Sequence, residues 1–138
     1  MSAGRAILDT STVILLARLT DATALTAEPL ITTIPLAELS VGPLVVEDER
    51  ERVTRQAHLQ QAEADFDPLP FDAAAARAFG RVATSLRRAG RKTAAGAYDA
   101  MIAATAIAHG LPLYTCNPAY FTGIDDLQLV AVPQPPAD

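Results

Sequence analysis

The sequence predicts an α/β protein whose strands run parallel in one sheet. Two patterns carry that expectation. Short apolar runs end at a polar turn and are followed by a helical pattern, the unit from which such sheets are built. The stretch 97–109 is then apolar or small at nearly every position and is long enough for roughly three and a half helical turns. A helix that is hydrophobic on every face belongs inside a protein.

The bulk numbers set the frame. A chain of 138 residues, half of them hydrophobic, suits one core and one domain. That domain is expected over residues 1–132, with a proline-rich tail over 133–138. The net charge of -5 and the pI near 4.9 argue against a broad cationic surface for long nucleic acid. They are compatible with a nuclease whose acidic centre is neutralised by metal. The single cysteine, Cys116, excludes an internal disulfide and fits the reducing cytoplasm. Two histidines and no cysteine pair argue against structural zinc. No long apolar run free of charge marks a membrane span, and the N-terminus lacks a signal-peptide pattern. There is no internal repeat, no P-loop and no Gly-rich dinucleotide fingerprint.

Ala6-Ile7-Leu8 reads as the first strand, ending at Asp9, with a helix over 12–19. Leu30 to Ile34 is rich in β-branched residues and reads as the second strand, with Pro35 opening a helix that Gly42-Pro43 interrupts. Residues 47–64 form a polar helix with a thin apolar stripe, and His58 on it has no ligand spacing around it. Phe66 to Phe71 is a weak strand whose prolines place it at an edge. Asp72 caps a helix to about Ala89, with Gly90 as its stop. After the buried helix, Gly110 is a stop, 111–115 is a strand ending at Cys116-Asn117, and 127–132 is the last strand.

The acids are placed by this order. Asp9 stands just past the first strand, Glu38 one turn past the second, and Asp99 near the start of the buried helix. Asn117 stands at the end of another strand. Each has a plain explanation as well: an N-cap for Asp9, dipole complements for Glu38 and Asp99, turn chemistry for Asn117. Thr10, Ser11 or Thr12 could cap the first helix equally well, so capping does not require Asp9. If the strands are parallel, three of these residues gather at one sheet edge, where open α/β sheets bind ligands. Carboxylates facing one another repel without a counter-ion, and hard oxygen donors suit Mg²⁺ or Mn²⁺. Such an ion activates water and neutralises a phosphoryl group, which is phosphodiester hydrolysis. Arg87, Arg88, Arg91 and Lys92 form the only basic cluster, as helix-end cations or as phosphate contacts beside the site.

Leu8-Asp9-Thr10-Ser11, Pro35-Leu36-Ala37-Glu38-Leu39, the run from Tyr98 to Ala106, and the run from Gly110 to Asn117 together resemble the PIN-domain family, and within it the VapC toxins of type II toxin–antitoxin systems. The resemblance spans essentially the whole chain. It implies an α/β/α sandwich around a mainly parallel sheet of about five strands. It implies a Mg²⁺-dependent endoribonuclease that cuts RNA and stops translation, usually a homodimer and silenced by a VapB-type antitoxin. By position, Asp9 and Asp99 match the principal metal-binding acids and Glu38 the second acid. Thr10 or Ser11, and Thr115, match hydroxyls that hold the acidic cluster. The chain departs from the family at the fourth acidic position, where Asn117 and Tyr120 stand in place of acids. The missing charge favours one tightly held Mg²⁺, with Asn117 positioning a water ligand. An apolar antitoxin surface is expected on Thr12, Leu15, Leu16 and Leu19. The alternatives are a PIN nuclease of RNA processing and a catalytically silent PIN module that acts by binding protein. A phosphatase using Asp9 as nucleophile fits poorly, because Ser11 stands two residues on where an acid is needed.

Overall fold

A computed structural model of the chain describes residues 4–19 and 28–135. β1 (Arg5–Leu8) leads into α1 (Thr10–Leu15), which tightens into a 3₁₀ turn at Leu16–Arg18. β2 (Glu28–Leu30), α2 (Thr33–Val41), α3 (Glu49–Asp65), α4 (Ala73–Arg88), α5 (Ala97–His109), β3 (Leu113–Thr115) and β4 (Leu129–Ala131) follow in that order. The strands form one sheet in the order β2-β1-β3-β4, with every pairing parallel. Among the described residues no helix is long and apolar enough to cross a membrane. The tail expected from Pro133 falls partly outside the described residues.

β1 is the central element. Ala6, Ile7 and Leu8 are all fully buried, as expected for a parallel strand covered on both faces. Ile7 packs in one cluster with Ile102, Ala103 and Ala106 of α5 and with Leu113 of β3. Ala6 and Leu8 point to the opposite face and are equally buried, so helices cover both faces. A second cluster joins Ala78, Val82 and Leu86 of α4 to Ala100 and Ala104 of α5. The small residues of α5 thus allow close approach of the sheet on one side and α4 on the other. Gly110 closes α5 in the left-handed conformation, at φ 66°, which turns the chain straight into β3.

The second strand differs from the sequence expectation. The β-branched run 30–34 is not a strand throughout: β2 ends at Leu30, and Thr32 caps α2, its hydroxyl accepting the Ile34 N–H at 3.2 Å. A local cap outweighs β propensity here, and Pro35 falls within the first turn, where a missing N–H costs nothing. The fifth strand, expected over 66–71, shrinks to a single parallel bridge between Thr32 and Leu69. Leu69 donates to the Ile31 carbonyl at 2.9 Å and accepts from the Thr33 N–H at 3.0 Å. Pro68 and Pro70 on either side have no N–H to extend the ladder.

The loop after β3 is held by Gly123. Its φ of +87° is one that L side chains rarely adopt, and an added Cβ would meet the Ala89 Cβ at 2.9 Å. Gly123→Ala is expected to destabilise the fold by ~1–3 kcal/mol, from left-handed strain and the clash together. Adding Ala89→Gly should return the steric part alone. Urea unfolding midpoints of the two variants measure the split.

Candidate active site

Asp9 follows β1 directly and is only 1% exposed. Its burial is compensated by four hydrogen bonds. Oδ1 accepts from the Thr12 N–H at 3.3 Å and from the Thr12 hydroxyl. Oδ2 accepts from Ser11 Oγ at 2.9 Å and from Thr115 Oγ1 at 3.0 Å. These match the four lone-pair sites of a carboxylate. Asp9 is therefore the N-cap of α1 after all, contrary to the expectation that other residues make it dispensable for capping. The bond to Thr115 comes from register: Leu8 of β1 pairs with Tyr114 of β3, so the next residues on each chain stand side by side at the sheet edge.

Backbone groups set the direction of these hydroxyls. Thr12 Oγ1 accepts the Cys116 N–H at 3.0 Å, and Thr115 Oγ1 accepts the Asn117 N–H at 2.9 Å. A hydroxyl that receives an obligatory donor turns its own proton elsewhere, here to Asp9. Ser11 is directed through side chains. Gln134 Nε2 donates to the Cys116 carbonyl at 3.1 Å and to Asn117 Oδ1 at 2.8 Å. Because a carbonyl only accepts, the Gln134 atom facing it is the amide nitrogen. Asn117 must then face Gln134 with its oxygen and Ser11 with its nitrogen, at 2.8 Å. The expected water-positioning amide is thus engaged at both ends and braces Ser11.

Glu38 and Asp99 stand half-buried near Asp9. Thr10 Oγ1 donates to Glu38 Oε1 at 2.5 Å. Burial raises the Glu38 pKa, the Thr10 bond opposes that, and the charge of Asp9 adds to the rise. The Asp99 pKa is raised to about 6, by burial first, then by the charges of Asp9 and Glu38, with Arg91 pulling the other way. The three acids therefore share one electrostatic field, although 28 residues separate Thr10 from Glu38 and α5 lies far along the chain. Among the described residues no ion pair involves Asp9, Glu38 or Asp99. Nor do any three His, Cys, Asp or Glu side chains form a group that could hold a metal as they stand. The donor chemistry nonetheless fits a hard divalent cation: three oxygen acids, nearby hydroxyls, and mutual repulsion that a counter-charge relieves.

The basic cluster divides. Arg91 and Lys92 line a cavity of about 430 Å³ together with Asp99, and Arg91 also donates to the Thr122 and Tyr120 carbonyls at 2.6 and 3.0 Å. Arg87 joins Arg91 and Lys92 along an adjoining groove. Arg88 does not belong with them: it lines a separate groove with Arg77 and Arg81, because the helical turn points it to another face of α4. The expected apolar surface is also redrawn. Thr12 is fully buried beneath Asp9, whereas Val13, Ile14 and Leu16 line a cavity of about 400 Å³ against Ala62 and Phe66.

Two supports escape sequence reasoning. Thr12 is an ordinary third-position helix residue in sequence, and only burial reveals its two bonds. Gln134 lies in a proline-rich stretch that reads as a tail. The signal available was its position just past a strand end, the same place as Asp9 and Asn117.

Removing the Thr12 hydroxyl leaves the Cys116 N–H and one Asp9 oxygen short of a partner. Thr12→Val is expected to destabilise by ~2–3 kcal/mol, with Thr12→Ser close to wild type, in chemical denaturation. Asp99 makes stability depend on pH. Its folded pKa lies above the unfolded 3.8, so the folded chain binds more protons in between. The contribution of Asp99 to the stability of the metal-free protein is full below pH 3.8 and is lost as pH rises through about 6. Asp99→Asn should raise the melting temperature by a few degrees above pH 7 in EDTA and give no gain near pH 4; half exposure keeps the gain within ~1 kcal/mol.

The family relationships agree with this geometry. Residues 6–126 match the PIN domain family model. A Ribonuclease VapC of Rickettsia bellii is 32% identical over 130 residues, covering 92% of this chain and 96% of that protein. A Ribonuclease VapC1 of Rickettsia felis is 32% identical over 102 residues, covering 74% of this chain and 75% of that one. Among solved structures, VapBC-5 of Mycobacterium tuberculosis, a toxin–antitoxin system, superposes with a TM-score of 0.79 at 33% identity, over 94% of this chain and 99% of that one. With the family match spanning most of its length and the parallel sheet and buried helix in place, this chain belongs to the PIN-domain family.

Proposed function

We propose that the protein is the toxin of a type II toxin–antitoxin system, a Mg²⁺-dependent endoribonuclease that hydrolyses RNA phosphodiester bonds. The observation that carries this is that Glu38 and Asp99 line one cavity, with Glu38 bonded to Thr10 next to Asp9, and that among the described residues no ion pair involves any of the three acids. Relatives named Ribonuclease VapC support it. Asp9 and Asp99 would hold the ion, Asp9 by exchanging one of its hydroxyl hydrogen bonds for it, and Glu38 would orient or deprotonate the attacking water. When bound, the divalent ion neutralises the phosphate and lowers the pKa of its water. Thr12, Ser11 and Thr115 keep the Asp9 oxygens in place, and Asn117 with Gln134 keeps Ser11 in place. Mn²⁺ is a chemically reasonable substitute.

The partners follow in the same reading. An antitoxin of the VapB type covers the Val13, Ile14 and Leu16 cavity. Val41, Leu44, Val45 and Val53 are exposed large apolar side chains within residues 41–53, and a second copy of the chain covers them in a homodimer. The site of action is the cytoplasm, where Cys116 stays reduced.

Cleavage by the purified protein should require Mg²⁺ and stop in EDTA. Because water attacks, the products should carry 5′-phosphate and 3′-hydroxyl ends; cyclic phosphate ends would exclude this mechanism. Asp99→Asn should cut at least ~100-fold more slowly with the fold intact by circular dichroism. Because the proton competes with Mg²⁺ for Asp99, the Mg²⁺ concentration needed for half-maximal cleavage should rise as pH drops below about 6. A protein that neither binds Mg²⁺ nor cuts RNA would be a silent binding module instead.

A further inference from the structure

The chain has three tyrosines, four phenylalanines and no tryptophan. Phe121 is buried, and Phe66, Phe71, Phe79 and Tyr114 are half-buried. Only two aromatic rings stand exposed, Tyr98 at 50% and Tyr120 at 55%. Both lie beside the same acid. Tyr98 lines a cavity of about 460 Å³ with Glu38, Ala94 and Asp99. Tyr120 lines the cavity of about 430 Å³ with Arg91, Lys92 and Asp99. Asp99 and Gly96 belong to both cavities, so the two hollows meet at the acid cluster with one ring in each.

Rigid backbone carries both rings. Tyr98 is in the first turn of α5, beside Asp99 in sequence. Tyr120 is in the 3₁₀ turn Pro118–Phe121, whose next residue, Phe121, is anchored in the core. The Tyr120 carbonyl is clamped by the Arg91 guanidinium, and its N–H donates to the Asn117 carbonyl at 3.1 Å. Among the described residues neither phenol oxygen makes a hydrogen bond, so neither ring is held down by its hydroxyl. An exposed tyrosine forgoes the stabilisation its burial would give. Two of them on fixed backbone, each in a hollow leading to the acids, make a recognition surface.

Charge completes the surface. Arg87, Arg91 and Lys92 lie in the stretch 73–98, which contains no Asp or Glu. Lys92 is exposed and, among the described residues, has no ion pair. It lines both the Tyr120 cavity and the adjoining groove with Arg87. Aromatic faces beside a cationic track are how single-stranded nucleic acid is held: bases stack, phosphates follow the cations. A duplex keeps its base faces inside its own stack and cannot offer them to a tyrosine.

We propose that Tyr98 and Tyr120 are base-stacking platforms on either side of Asp99, with Arg87 and Lys92 taking the phosphates that flank the stacked bases. This rests on the nuclease reading for the reaction, but the binding surface is testable without it. The probe is a short mixed-sequence RNA, single-stranded or annealed to its complement. Binding is read in EDTA by fluorescence anisotropy and by quenching of protein emission, which comes from tyrosine alone because tryptophan is absent.

The wild type should prefer the single strand, and binding should quench tyrosine emission. Tyr98→Ala and Tyr120→Ala should each weaken single-strand binding roughly tenfold and raise KM far more than they lower kcat in Mg²⁺. Tyr98→Phe and Tyr120→Phe, which keep the ring, should restore both. Lys92→Ala should weaken binding and flatten its salt dependence, which the tyrosine variants leave unchanged. Alanine variants that bind as well as wild type, or a wild type that prefers the duplex, would overturn the proposal. So would alanine variants that change the oligomeric state by size-exclusion chromatography with RNA affinity intact, which would make the rings a protein interface. A wild type that binds single strands through its tyrosines yet cuts nothing in Mg²⁺ would support the platforms and remove the nuclease. A Tyr98→Ala, Tyr120→Ala double variant that cuts as well as the wild type would do the reverse.

Discussion

Everything at the site depends on a buried carboxylate whose oxygens are fully hydrogen-bonded. Asp9 sits at the end of a strand with no exposed residue after Arg5. A carboxylate in that position is tolerable only when its lone pairs are met. The bonds come from the first turn of α1 and from the end of β3, so forming them requires both to be in place. A parallel sheet brings this about without special loops. Each strand delivers its next residue to the same edge, and the central pair delivers Asp9 and Thr115 side by side.

The hydroxyls do more than satisfy Asp9. Each is oriented by a group that has only one way to bond, a backbone N–H or, through two amides, a backbone carbonyl. The proton positions around the carboxylate are thereby determined by the fold. A neutral Asn117 suits this arrangement better than an acid, because its amide nitrogen donates to Ser11 while its oxygen accepts from Gln134. An aspartate there could only accept, and Ser11 would then have two carboxylates competing for one proton. The departure at the fourth acidic position is in this sense a change from charge to bracing.

Glu38 and Asp99 have the opposite character. They are half-buried, and each is made less acidic by burial and by its neighbours. Proteins retain such repulsion where function requires it. The surrounding surface has the complementary sign, with Arg91 and Lys92 beside Asp99, Arg87 in the adjoining groove, and exposed rings on both sides. A molecule of net charge -5 can therefore still present a cationic approach to an anionic chain, because its charges are unevenly placed along the sequence.

The sequence by itself determined the parallel α/β class, the buried helix from Ala97 to His109, the caps at Asp72 and Gly110, and the residues Asp9, Glu38 and Asp99 as one acidic set. Those are written in local signals: apolar periodicity, turn chemistry, and charges placed where burial makes them costly. The tertiary structure decided what depends on neighbours distant in the chain. It shortened β2 in favour of a Thr32 cap, and reduced the fifth strand to a bridge at Leu69. It set Arg88 apart from Arg91 and Lys92, and turned Asn117 toward Ser11. It also brought Gln134 to the site from a stretch that looks like a tail. The reason is common to all of them: hydrogen-bond partners and helix facing are settled in space, by which groups the sheet edge assembles, and no window of sequence contains both members of such a pair.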